Sequence, residues 1–417
     1  MSEFDVAVIG AGAAGLAAGL ALRKAGLSFV VLEARNRVGG RACTDSETFP
    51  GIAFDKGGHW LHAAAQNPFV KIADTLGFRY KSDIDWSHRV VLPRGGKPDD
   101  AMLEASRDAL LGALDQIGAA GEAGRDVAFA DVVDTGDPWF PLTRRTLTQI
   151  TSQEPEDCST LDYARYSDEG GDYPVQDGYG ALVAAHAAGL PVRLETPVSR
   201  VTWSDSGVAI DTLRGTVKAK AVIVAVPVNV LARGFRFDPV LPHDVAQAIH
   251  DCPMGHAEKI ALLLDKPLEG FGHIYGDIVE SPPMSVQPFN LHINPFGRPL
   301  VVSHSGGALA RDLAAAGEAA MIDLATERMV FAFGADIRRR IVKGLTTQWS
   351  SDPWTFGGYS HALPGRAASR LAFGNPVGER IFLAGEHCSI PFYSTIHGAH
   401  LSGLAAAEQA IRQFASF

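Results

Sequence analysis

The chain has 417 residues, 46 % of them hydrophobic and 20 % charged, which is typical of a folded globular protein and excludes general disorder. This length predicts two or three domains. With 37 Lys and Arg against 47 Asp and Glu, the formal net charge is −10. That balance argues against nucleic acid or an anionic membrane surface as a partner, because both bind basic faces.

The cysteines and the first residues predict a cytoplasmic protein. The four cysteines are dispersed and no two have the CxxC spacing of a zinc or dithiol site, so a reducing compartment is expected. Residues 6–22 are apolar, but Glu3 and Asp5 precede them where a signal peptide would be basic. The run is also too short and too rich in glycine to span a membrane. The histidines lack metal-binding spacing, so no metal is expected.

The N-terminal segment has the order strand, glycine loop, helix, strand. Phe4–Ile9 is a short β-branched run that predicts a buried parallel strand. Leu16–Lys24 consists of strong helix formers, and Leu27–Leu32 predicts a second strand. This order is that of a βαβ unit, so the loop between strand and helix is a candidate dinucleotide site.

Three glycines in that loop predict contacts with a pyrophosphate. Gly10 permits a tight turn, Gly12 lets the backbone approach the phosphates, and Gly15 lets helix and strand pack closely. The helix N-terminus near Ala14 offers free N–H groups and a positive dipole end. Glu33 ends the second strand, where its carboxylate can hold both ribose hydroxyls and would repel a 2′-phosphate. The pattern therefore predicts FAD or NAD and not NADP.

A second glycine turn favours FAD over NAD. Residues 32–44 read LEARNRVGGRACT, with arginines on both sides of Gly39 and Gly40. An NAD dehydrogenase would continue here into another βαβ unit, whereas this turn suits further phosphate and ribityl contacts. Residues 55–62 read DKGGHWLH, another glycine step with one tryptophan and two histidines.

These motifs resemble those of the flavin-containing amine oxidase family, which includes monoamine oxidases, polyamine oxidases and flavin-dependent histone demethylases. The resemblance rests on LEARxRVGGR followed by GGxW, and it extends from residue 5 to about residue 410. The further matching segments are residues 172–180 (DYPVQDGYG), 192–201 (VRLETPVSRV), 219–230 (AKAVIVAVPVNV), 380–386 (RIFLAGE) and 395–403 (TIHGAHLSG).

The resemblance implies an α/β fold in which a Rossmann-like FAD-binding domain of the glutathione-reductase/amine-oxidase type is interleaved with an α+β substrate domain. The FAD-binding domain is expected in residues 1–80, 172–247 and 352–417. The substrate domain is expected in residues 81–171 and 248–351.

The two inserted stretches contain predicted elements of their own. Residues 101–117 predict an amphipathic helix with Asp100 as its N-cap, and residues 118–124 (GAAGEAG) predict a loop. The helix has its apolar positions at Leu103, Leu110, Leu111, Leu114 and Ile117. Other predicted elements are strands at 259–264 and 300–304, a helix at 318–334, and a solvated helix face at 338–340.

The resemblance also implies which residues contact FAD. Val198 would touch the adenine, Glu386 the ribityl chain, and the amides of Thr395 and Ile396 the N1/O2 edge of the flavin, where a helix start stabilises negative charge. The full implied set is Gly10, Gly12, Ala14, Gly15, Glu33, Ala34, Arg35, Gly40, Arg41, Gly57, Gly58, His59, Trp60, Val198, Trp349, Gly385, Glu386, Thr395 and Ile396. His59 and Trp60 would act mainly through their backbone, and a structural tryptophan is the alternative at position 349.

Lys259 is the implied catalytic residue. Family members carry a lysine a few residues after a glycine on a strand of the substrate domain, hydrogen-bonded through water to flavin N5, and residues 254–259 (MGHAEK) match that pattern. The alternative is a strand-end lysine with its ammonium in solvent.

Tyr359 corresponds to one wall of the aromatic cage that holds the amine nitrogen in the family; a core aromatic is the alternative. Gly358 stands where monoamine oxidases have a flavin-linking cysteine, so FAD is expected to be bound non-covalently. Thr395 stands where they have the second cage tyrosine, and Tyr393 is a candidate replacement. His62 corresponds to a residue of the substrate channel, with a structural histidine as the alternative.

The expected reaction is oxidation of an amine C–N bond to an imine by hydride transfer to flavin N5, with O₂ as the acceptor that yields H₂O₂. A dehydrogenase with another acceptor would use the same site. An L-amino-acid oxidase would need an arginine for the carboxylate, which Arg89 or Arg94 could supply. A flavin desaturase of an apolar substrate and a non-catalytic binding module are the remaining alternatives. The expected partners are a small-molecule amine and O₂, and a homodimer is an option.

Overall fold

The computed structural model describes residues 3–84 and 89–415 and contains two large sheets. The strands are β1 (Phe4–Ile9), β2 (Phe29–Leu32), β3 (Thr44–Asp45), β4 (Phe54–Asp55), β5 (Trp60–Leu61), β6 (Arg89–Leu92), β7 (Tyr173–Pro174), β8 (Val192–Arg193), β9 (Val198–Ser204), β10 (Gly207–Thr212), β11 (Gly215–Val224), β12 (Arg236–Asp238), β13 (Ala257–Leu264), β14 (Ile274–Ile278), β15 (Phe289–Ile293), β16 (Leu300–Gly306), β17 (Ile341–Thr346) and β18 (Ile381–Leu383). The α-helices are α1 (Ala13–Lys24), α2 (Pro68–Leu76), α3 (Asp100–Glu122), α4 (Phe140–Thr151), α5 (Thr160–Ala164), α6 (Tyr179–His186), α7 (Val228–Ala232), α8 (His243–Asp251), α9 (Gly307–Ala316), α10 (Glu318–Phe333), α11 (Ile337–Arg340) and α12 (Ile396–Ala415).

The first sheet is built around the buried strand β1. Its order is β12-β9-β10-β11-β1-β2-β8, with β18 paired to β11, and β1 is parallel to both of its neighbours. Alternate side chains of β1 enter two cores: Val6 and Val8 pack with α1 and α12, and Ala7 and Ile9 pack with α7 and α8. Helices on both faces explain why β1 is apolar at nearly every position, and they confirm the predicted α/β fold.

The second sheet turns its polar side chains towards a cavity. Its order is β17-β13-β16-β15-β14-β6, and all of its pairs are antiparallel except β14 with β6. Ile260 and Leu262 on β13 pack under α9 and α10 together with Leu291 on β15. Since successive strand residues point to opposite faces, Lys259 on β13 and Asp277 on β14 lie on the other face, where they line the cavity.

Helix α3 differs from its predicted bounds. Its N-cap is Asp99, whose carboxylate accepts the Met102 amide at 2.9 Å, and not Asp100. The helix also continues to Glu122 through most of the segment predicted as a loop. Gly121 explains this result, because a Cβ there would lie 2.2 Å from the Thr160 carbonyl oxygen. The glycine thus allows close helix packing against α5 and does not mark a flexible connection.

Two other predictions need correction. The family-matching segment 219–230, which resembles a strand that returns the chain to the FAD-binding domain, leaves the sheet at Val224, and Pro227 caps α7. The predicted domain boundary at 247/248 falls inside α8, whose residues Val245 and Ala248 share one core beneath the first sheet.

Residues 1, 2, 85–88, 416 and 417 of the predicted domain ranges lie outside the described residues. Every helix within the described ranges is too short or too polar to cross a bilayer.

Helix α12 approaches α1 closely at Gly403, and this contact generates a stability prediction. A Cβ at Gly403 would lie 2.0 Å from the Ala14 carbonyl oxygen, so Gly403→Ala should push the two helices apart and lower the free energy of unfolding by about 1–3 kcal/mol. The matched control is Gly112→Ala on α3, where a Cβ meets no atom within 4 Å and helix propensity should give a gain of up to about 1 kcal/mol. Thermal unfolding followed by circular dichroism measures both, and equal Tm values for the two variants would contradict the packing argument.

Candidate active site

A cavity of about 970 Å³ is lined by residues of both sheets. One half lies along the N-terminus of α1, the end of β2 and the start of α12, and the other half lies along β13, β14, α3 and α4. The residues predicted to contact FAD that line it are Gly10, Gly12, Ala14, Glu33, Ala34, Arg35, Gly40, Arg41, Gly57, Gly58, Trp60, Val198, Trp349, Gly385, Glu386, Thr395 and Ile396. The predicted substrate and catalytic residues that line it are Lys259, Tyr359, His62, Thr395 and Tyr393.

The glycine loop shapes the nucleotide half of the cavity. Gly10 has φ +98°, and a Cβ there would lie 2.6 Å from the Ala225 carbonyl oxygen. A Cβ at Gly12, in contrast, would meet no atom within 4 Å, so the backbone at this point borders open space at the N-terminus of α1. Gly15 does not line the cavity. A Cβ added at this position would lie 1.8 Å from the Gly10 carbonyl oxygen. It therefore supports the loop and does not border the ligand space.

Glu33 is held rigidly at the wall of this half. Its carboxylate accepts the Ala11 amide at 2.7 Å through Oε2 and the Arg35 amide at 2.9 Å through Oε1. Each carboxylate oxygen can accept a second hydrogen bond, so both retain capacity for ribose hydroxyls. The Arg35 guanidinium pairs with Asp352 through two hydrogen bonds of 2.7 and 2.8 Å. Arg35 thereby ties the end of β2 to the segment at Asp352, a partner that the sequence did not reveal.

Glu386 joins three separate segments at the centre of the cavity. It pairs with Arg41 at 3.0 Å, and it accepts the Ser360 hydroxyl at 2.6 Å and the Ser394 amide at 2.9 Å. Arg41 also donates to the Gly358 carbonyl at 2.6 Å. Burial alone would raise the pKa of Glu386, but Arg41, His387 and the Ser360 hydroxyl outweigh it and lower that pKa to about 2. The carboxylate is therefore charged at neutral pH.

The start of α12 presents free amides to the same space. The Thr395 hydroxyl accepts the Gly398 amide at 2.9 Å and so acts as the N-cap. The first-turn amides of an α-helix have no partner within the helix, and the N-terminus carries a partial positive charge. Thr395 and Ile396 both line the cavity, so this end of it is suited to a negatively charged group.

Lys259 connects the second sheet to the segment at the end of β4. It is buried on β13, and its ammonium donates to the carbonyl oxygens of Asp55 at 2.9 Å and Gly57 at 2.5 Å. The ammonium also lies 5.9 Å from the centre of the Trp60 ring. Burial lowers the pKa of Lys259 to about 8, against the opposing effect of Asp55. The predicted alternative of a solvated strand-end lysine does not hold.

Aromatic residues line the cavity beside Lys259. The Tyr359 hydroxyl donates to the carbonyl oxygen of Gln149, and burial raises the pKa of Tyr359. Tyr393 packs edge-on to Tyr166 with the ring centres 5.5 Å apart, and the Arg370 guanidinium lies 4.4 Å from the centre of its ring. Trp349 donates from its indole nitrogen to the Lys56 carbonyl oxygen at 3.0 Å.

His62 belongs to an acidic group at the cavity wall. Its Nδ1 lies 2.8 Å from the Asp172 carboxylate. Burial alone would lower the pKa of His62, but Asp172 and Asp168 outweigh it and raise that pKa. Burial and the neighbouring Asp172 raise the pKa of Asp168. The cluster of His62, Asp168 and Asp172 thus places two carboxyl groups and one imidazole at this part of the cavity wall.

His59 borders a different cavity from most of the other residues predicted to contact FAD. It does not line the main cavity; it borders a second cavity of about 40 Å³ behind Trp60, together with Lys259 and His292. Its Nδ1 lies 3.6 Å from the Asp55 carboxylate, and its ring lies 5.7 Å from that of His292. Burial lowers the pKa of His59, so its ring is neutral at neutral pH.

Several residues at the site were not found from the sequence. Asp277 lies at the cavity wall with Arg89, whose guanidinium is 3.4 Å away, and the buried Arg145 pairs with it at 2.7 Å. The sequence signal for Asp277 was its position as a charged residue in the otherwise uncharged strand IYGDI. Arg89 and Arg94 were the two candidates for binding the carboxylate of an amino-acid substrate. Arg89 lines the cavity, whereas the guanidinium of Arg94 lies 4.4 Å from the centre of the Phe331 ring.

Sequence comparison assigns the family. The profile of the flavin-containing amine oxidoreductases matches residues 148–411, and that of an NAD(P)-binding Rossmann-like domain matches residues 8–76. The chain belongs to the flavin-containing amine oxidoreductases. The predicted resemblance is thereby confirmed.

Similar proteins in this family cover nearly the whole chain. Polyamine oxidase 4 of Oryza sativa subsp. japonica is 28 % identical over 436 residues, which is 97 % of this chain and 88 % of that protein. Polyamine oxidase 2 of Arabidopsis thaliana is 26 % identical over 432 residues, or 97 % and 87 %. A structure of wild-type putrescine oxidase bound to putrescine superposes with a TM-score of 0.79 at 23 % identity, covering 98 % of this chain and 99 % of that one. The chain therefore has the same fold as the putrescine oxidase.

The cofactor of this flavin amine oxidoreductase is FAD, and the residues present fit it. The open space at Gly12 and the amides of α1 suit the pyrophosphate, and Glu33 suits the adenosine ribose. Arg41 and Glu386, which are paired with each other, line the same cavity as Gly12, Glu33 and the N-terminus of α12. Gly358 offers no thiol, so non-covalent binding fits this chain.

Glu386→Gln should weaken FAD binding in this amine oxidoreductase. Both carboxylate oxygens accept from N–H or O–H donors, so an amide NH₂ in either orientation would face a donor. We expect the Kd of FAD to rise at least about tenfold. Titration of the apoprotein with FAD, followed by quenching of flavin fluorescence, measures it. Glu408→Gln, an exposed position on the same helix as Ile396, should leave the Kd unchanged; equal losses in both variants would refute the argument.

The Lys259 pKa gives stability a defined dependence on pH. Since the native pKa is about 8 and the unfolded pKa is about 10.4, the unfolded state binds more protons between these values, and the stability of the wild type should rise with pH there. Lys259→Met removes this contribution. The wild-type free energy of unfolding minus that of the variant should therefore increase from pH 8 to pH 10 by up to roughly 1.4 kcal/mol per pH unit, and the difference between the two Tm values should increase with it. For the control Lys266→Met, at an exposed lysine, the difference in stability from the wild type should not change with pH. A pH-independent difference for Lys259→Met would be incompatible with a lowered pKa of Lys259.

Proposed function

We propose that the protein oxidises a di- or polyamine with FAD, giving an imine that water hydrolyses, and that O₂ accepts the electrons and is reduced to H₂O₂. Bound FAD supplies the acceptor for the hydrogen and two electrons that leave the amine α-carbon. The observation that carries the proposal is that Lys259, Tyr359, Asp168 and Asp172 line the same cavity as the residues that fit FAD.

The substrate half is suited to a cation. Amines enter as ammonium ions, and Asp168, Asp172 and the aromatic ring of Tyr359 favour positive charge. The nitrogen at the reacting carbon must be neutral before oxidation, while a second, distal ammonium can remain paired with the aspartates. The polyamine oxidases of rice and Arabidopsis and the putrescine oxidase bound to putrescine support a substrate with two amino groups.

Lys259 contributes positioning and charge at the junction of the two halves. Its ammonium is fixed by the Asp55 and Gly57 carbonyls, so it cannot swing into the substrate half. With a pKa of about 8, it can hold or release a proton within the physiological range. We therefore assign it to proton handling beside the cofactor and not to nucleophilic attack.

An amino-acid oxidase is the second candidate, and Arg89 favours it. Arg89 lines the cavity and shares Asp277 with Arg145. Two guanidinium groups on one carboxylate leave a net positive charge that could bind a substrate carboxylate. The aspartate pair near His62 opposes an anionic substrate, so this candidate stands second.

Anaerobic bleaching of the bound flavin tests the proposal. A panel of monoamines, diamines, polyamines and L-amino acids is mixed with the FAD-loaded enzyme, and H₂O₂ is then measured on admission of air. Fast bleaching by diamines or polyamines with one H₂O₂ per amine supports the proposal. Bleaching by amino acids alone supports the second candidate, and bleaching without peroxide identifies a dehydrogenase.

The double variant Asp168→Asn/Asp172→Asn should separate the substrate classes. Losing both carboxylates removes a charge-assisted contact to the distal ammonium, so kcat/KM for diamines should fall about 10- to 100-fold, while kcat/KM for monoamines changes far less. Asp323→Asn on the exposed side of α10 should change neither. An equal fall for both substrate classes would show that the aspartates do not recognise a second amino group.

A further inference from the structure

Two histidines of the second cavity carry buried ring nitrogens that no protein group satisfies. His59 and His292 both line this cavity, and the Nε2 atom of each is buried without a hydrogen-bond partner among residues 3–84 and 89–415. His292 is only 6 % exposed, and its ring is held by stacking on Tyr275, with the ring centres 4.1 Å apart. Because an unpaired buried polar atom costs free energy, the two nitrogens indicate a bound polar ligand.

The size and the charges of the cavity favour water as that ligand. A buried water molecule needs a space of roughly 10–15 Å³ and two to four polar partners. The cavity of about 40 Å³ therefore has room for about two or three water molecules. A cation is disfavoured, because Lys259 and Arg298 also line the cavity. The Nδ1 atom of His59 lies on the side of the Asp55 carboxylate, which leaves Nε2 of the neutral ring as a hydrogen-bond acceptor for water.

Lys259 lines both this cavity and the main one. Its ammonium has three N–H donors, and the carbonyl oxygens of Asp55 and Gly57 accept two of them. Neither carbonyl can take up the ammonium proton. Exchange of that proton therefore requires another group, and water in the second cavity would meet the lysine at its wall.

His59 offers a route from this cavity to solvent. Its side chain is 15 % exposed, and its Nδ1 lies 3.6 Å from the Asp55 carboxylate, which stabilises a positive charge on the ring. Burial lowers the pKa of His59, as do the charges of Lys259 and His62, while Asp55 raises it. When Lys259 gives up its proton, its opposing charge disappears, so the affinity of His59 for a proton rises.

His292 is suited to hold water without taking up the charge. Burial lowers the pKa of His292 well below its usual range, and the neighbouring His59, His273 and Lys259 lower it further. The remaining titratable side chains that line the cavity are Arg298, Tyr275 and His304. Burial also lowers the pKa of His304, to about 3. His59 is thus the imidazole of this cavity with a carboxylate beside it.

We propose that the second cavity binds water between His59 and His292, and that this water carries protons between the Lys259 ammonium and solvent. In one transfer, an N–H bond of Lys259 breaks and an O–H bond forms on the water. Another O–H bond of the water breaks, and an N–H bond forms at Nε2 of His59. The positive charge moves from Lys259 to the His59 ring, which then releases a proton to solvent. The inference rests on the proposed function only for the use of this exchange during oxidation.

A crystal structure of the FAD-loaded enzyme tests the water site. We expect an ordered water molecule within hydrogen-bond distance of Nε2 of both His59 and His292. In His292→Phe, which keeps a ring against Tyr275 and removes the nitrogen, this water should be lost. A wild-type structure in which no water bridges the two rings, at a resolution that shows other buried waters, overturns the proposal.

Proton exchange at Lys259 tests the relay without any amine substrate. The FAD-loaded enzyme is labelled with ¹⁵N-lysine, and the Lys259 ammonium resonance is identified by its absence in Lys259→Met. Its exchange with solvent, measured by NMR, should be slower by at least about tenfold in His59→Phe and in His292→Phe. Each variant removes one Nε2, so either one is sufficient if the other does not fold.

His273→Phe is the matched control. His273 stacks on His292 with the ring centres 4.7 Å apart, and its Nε2 also lacks a protein partner among the described residues, but it does not line the second cavity. Exchange at Lys259 should therefore stay within about twofold of the wild type. An equal slowing in His273→Phe and His292→Phe overturns the relay, because loss of ring stacking would then explain it.

The outcomes separate the relay from the proposed oxidation. If exchange slows in His59→Phe and His292→Phe but no amine bleaches the flavin, the relay stands and the proposed function fails. If amines bleach the flavin and exchange at Lys259 is the same in the wild type and both variants, the oxidation stands and the relay is overturned.

Discussion

The charge on Glu386 is the constraint on which the site depends. A buried carboxylate is stable only when paired and hydrogen-bonded, and here its partners come from the loop at Arg41, the segment at Ser360 and the turn at Ser394. Arg370 extends this network by donating to the Ser360 hydroxyl at 3.1 Å. Its guanidinium is in turn paired with Asp162 at 2.6 Å. One buried charge therefore fixes the relative positions of segments that lie more than 300 residues apart in the chain.

The parts of the site that depend on local sequence could be predicted. Gly10, Gly12 and Glu33 follow from the order of strand, loop and helix, because their roles are set by backbone geometry within one βαβ unit. Lys259 and Tyr359 were found through a family resemblance and not through a physical pattern. The structure places both at the cavity, while their roles in the reaction stay predictions.

The parts that depend on long-range packing could not be predicted. Asp352 pairs with Arg35, and Asp162 pairs with Arg370, across 317 and 208 residues of sequence; no spacing rule connects them. Gly121 was interpreted as part of a loop because a glycine that allows close helix packing looks the same in the sequence as one that bends the chain. His59 borders the small second cavity with Lys259 and His292, and its local sequence does not indicate which cavity it borders.

Lys259 has a consequence for the mechanics of the molecule. It belongs to the second sheet, and both acceptors of its ammonium are carbonyls in or just after β4. A displacement of this segment from β13 by a few ångströms would break both hydrogen bonds and leave an unpaired buried charge. The lysine therefore holds the glycine step at Gly57 and Gly58, which lines the cavity, in place against β13, so a mutation that shifts this segment should also displace the lysine.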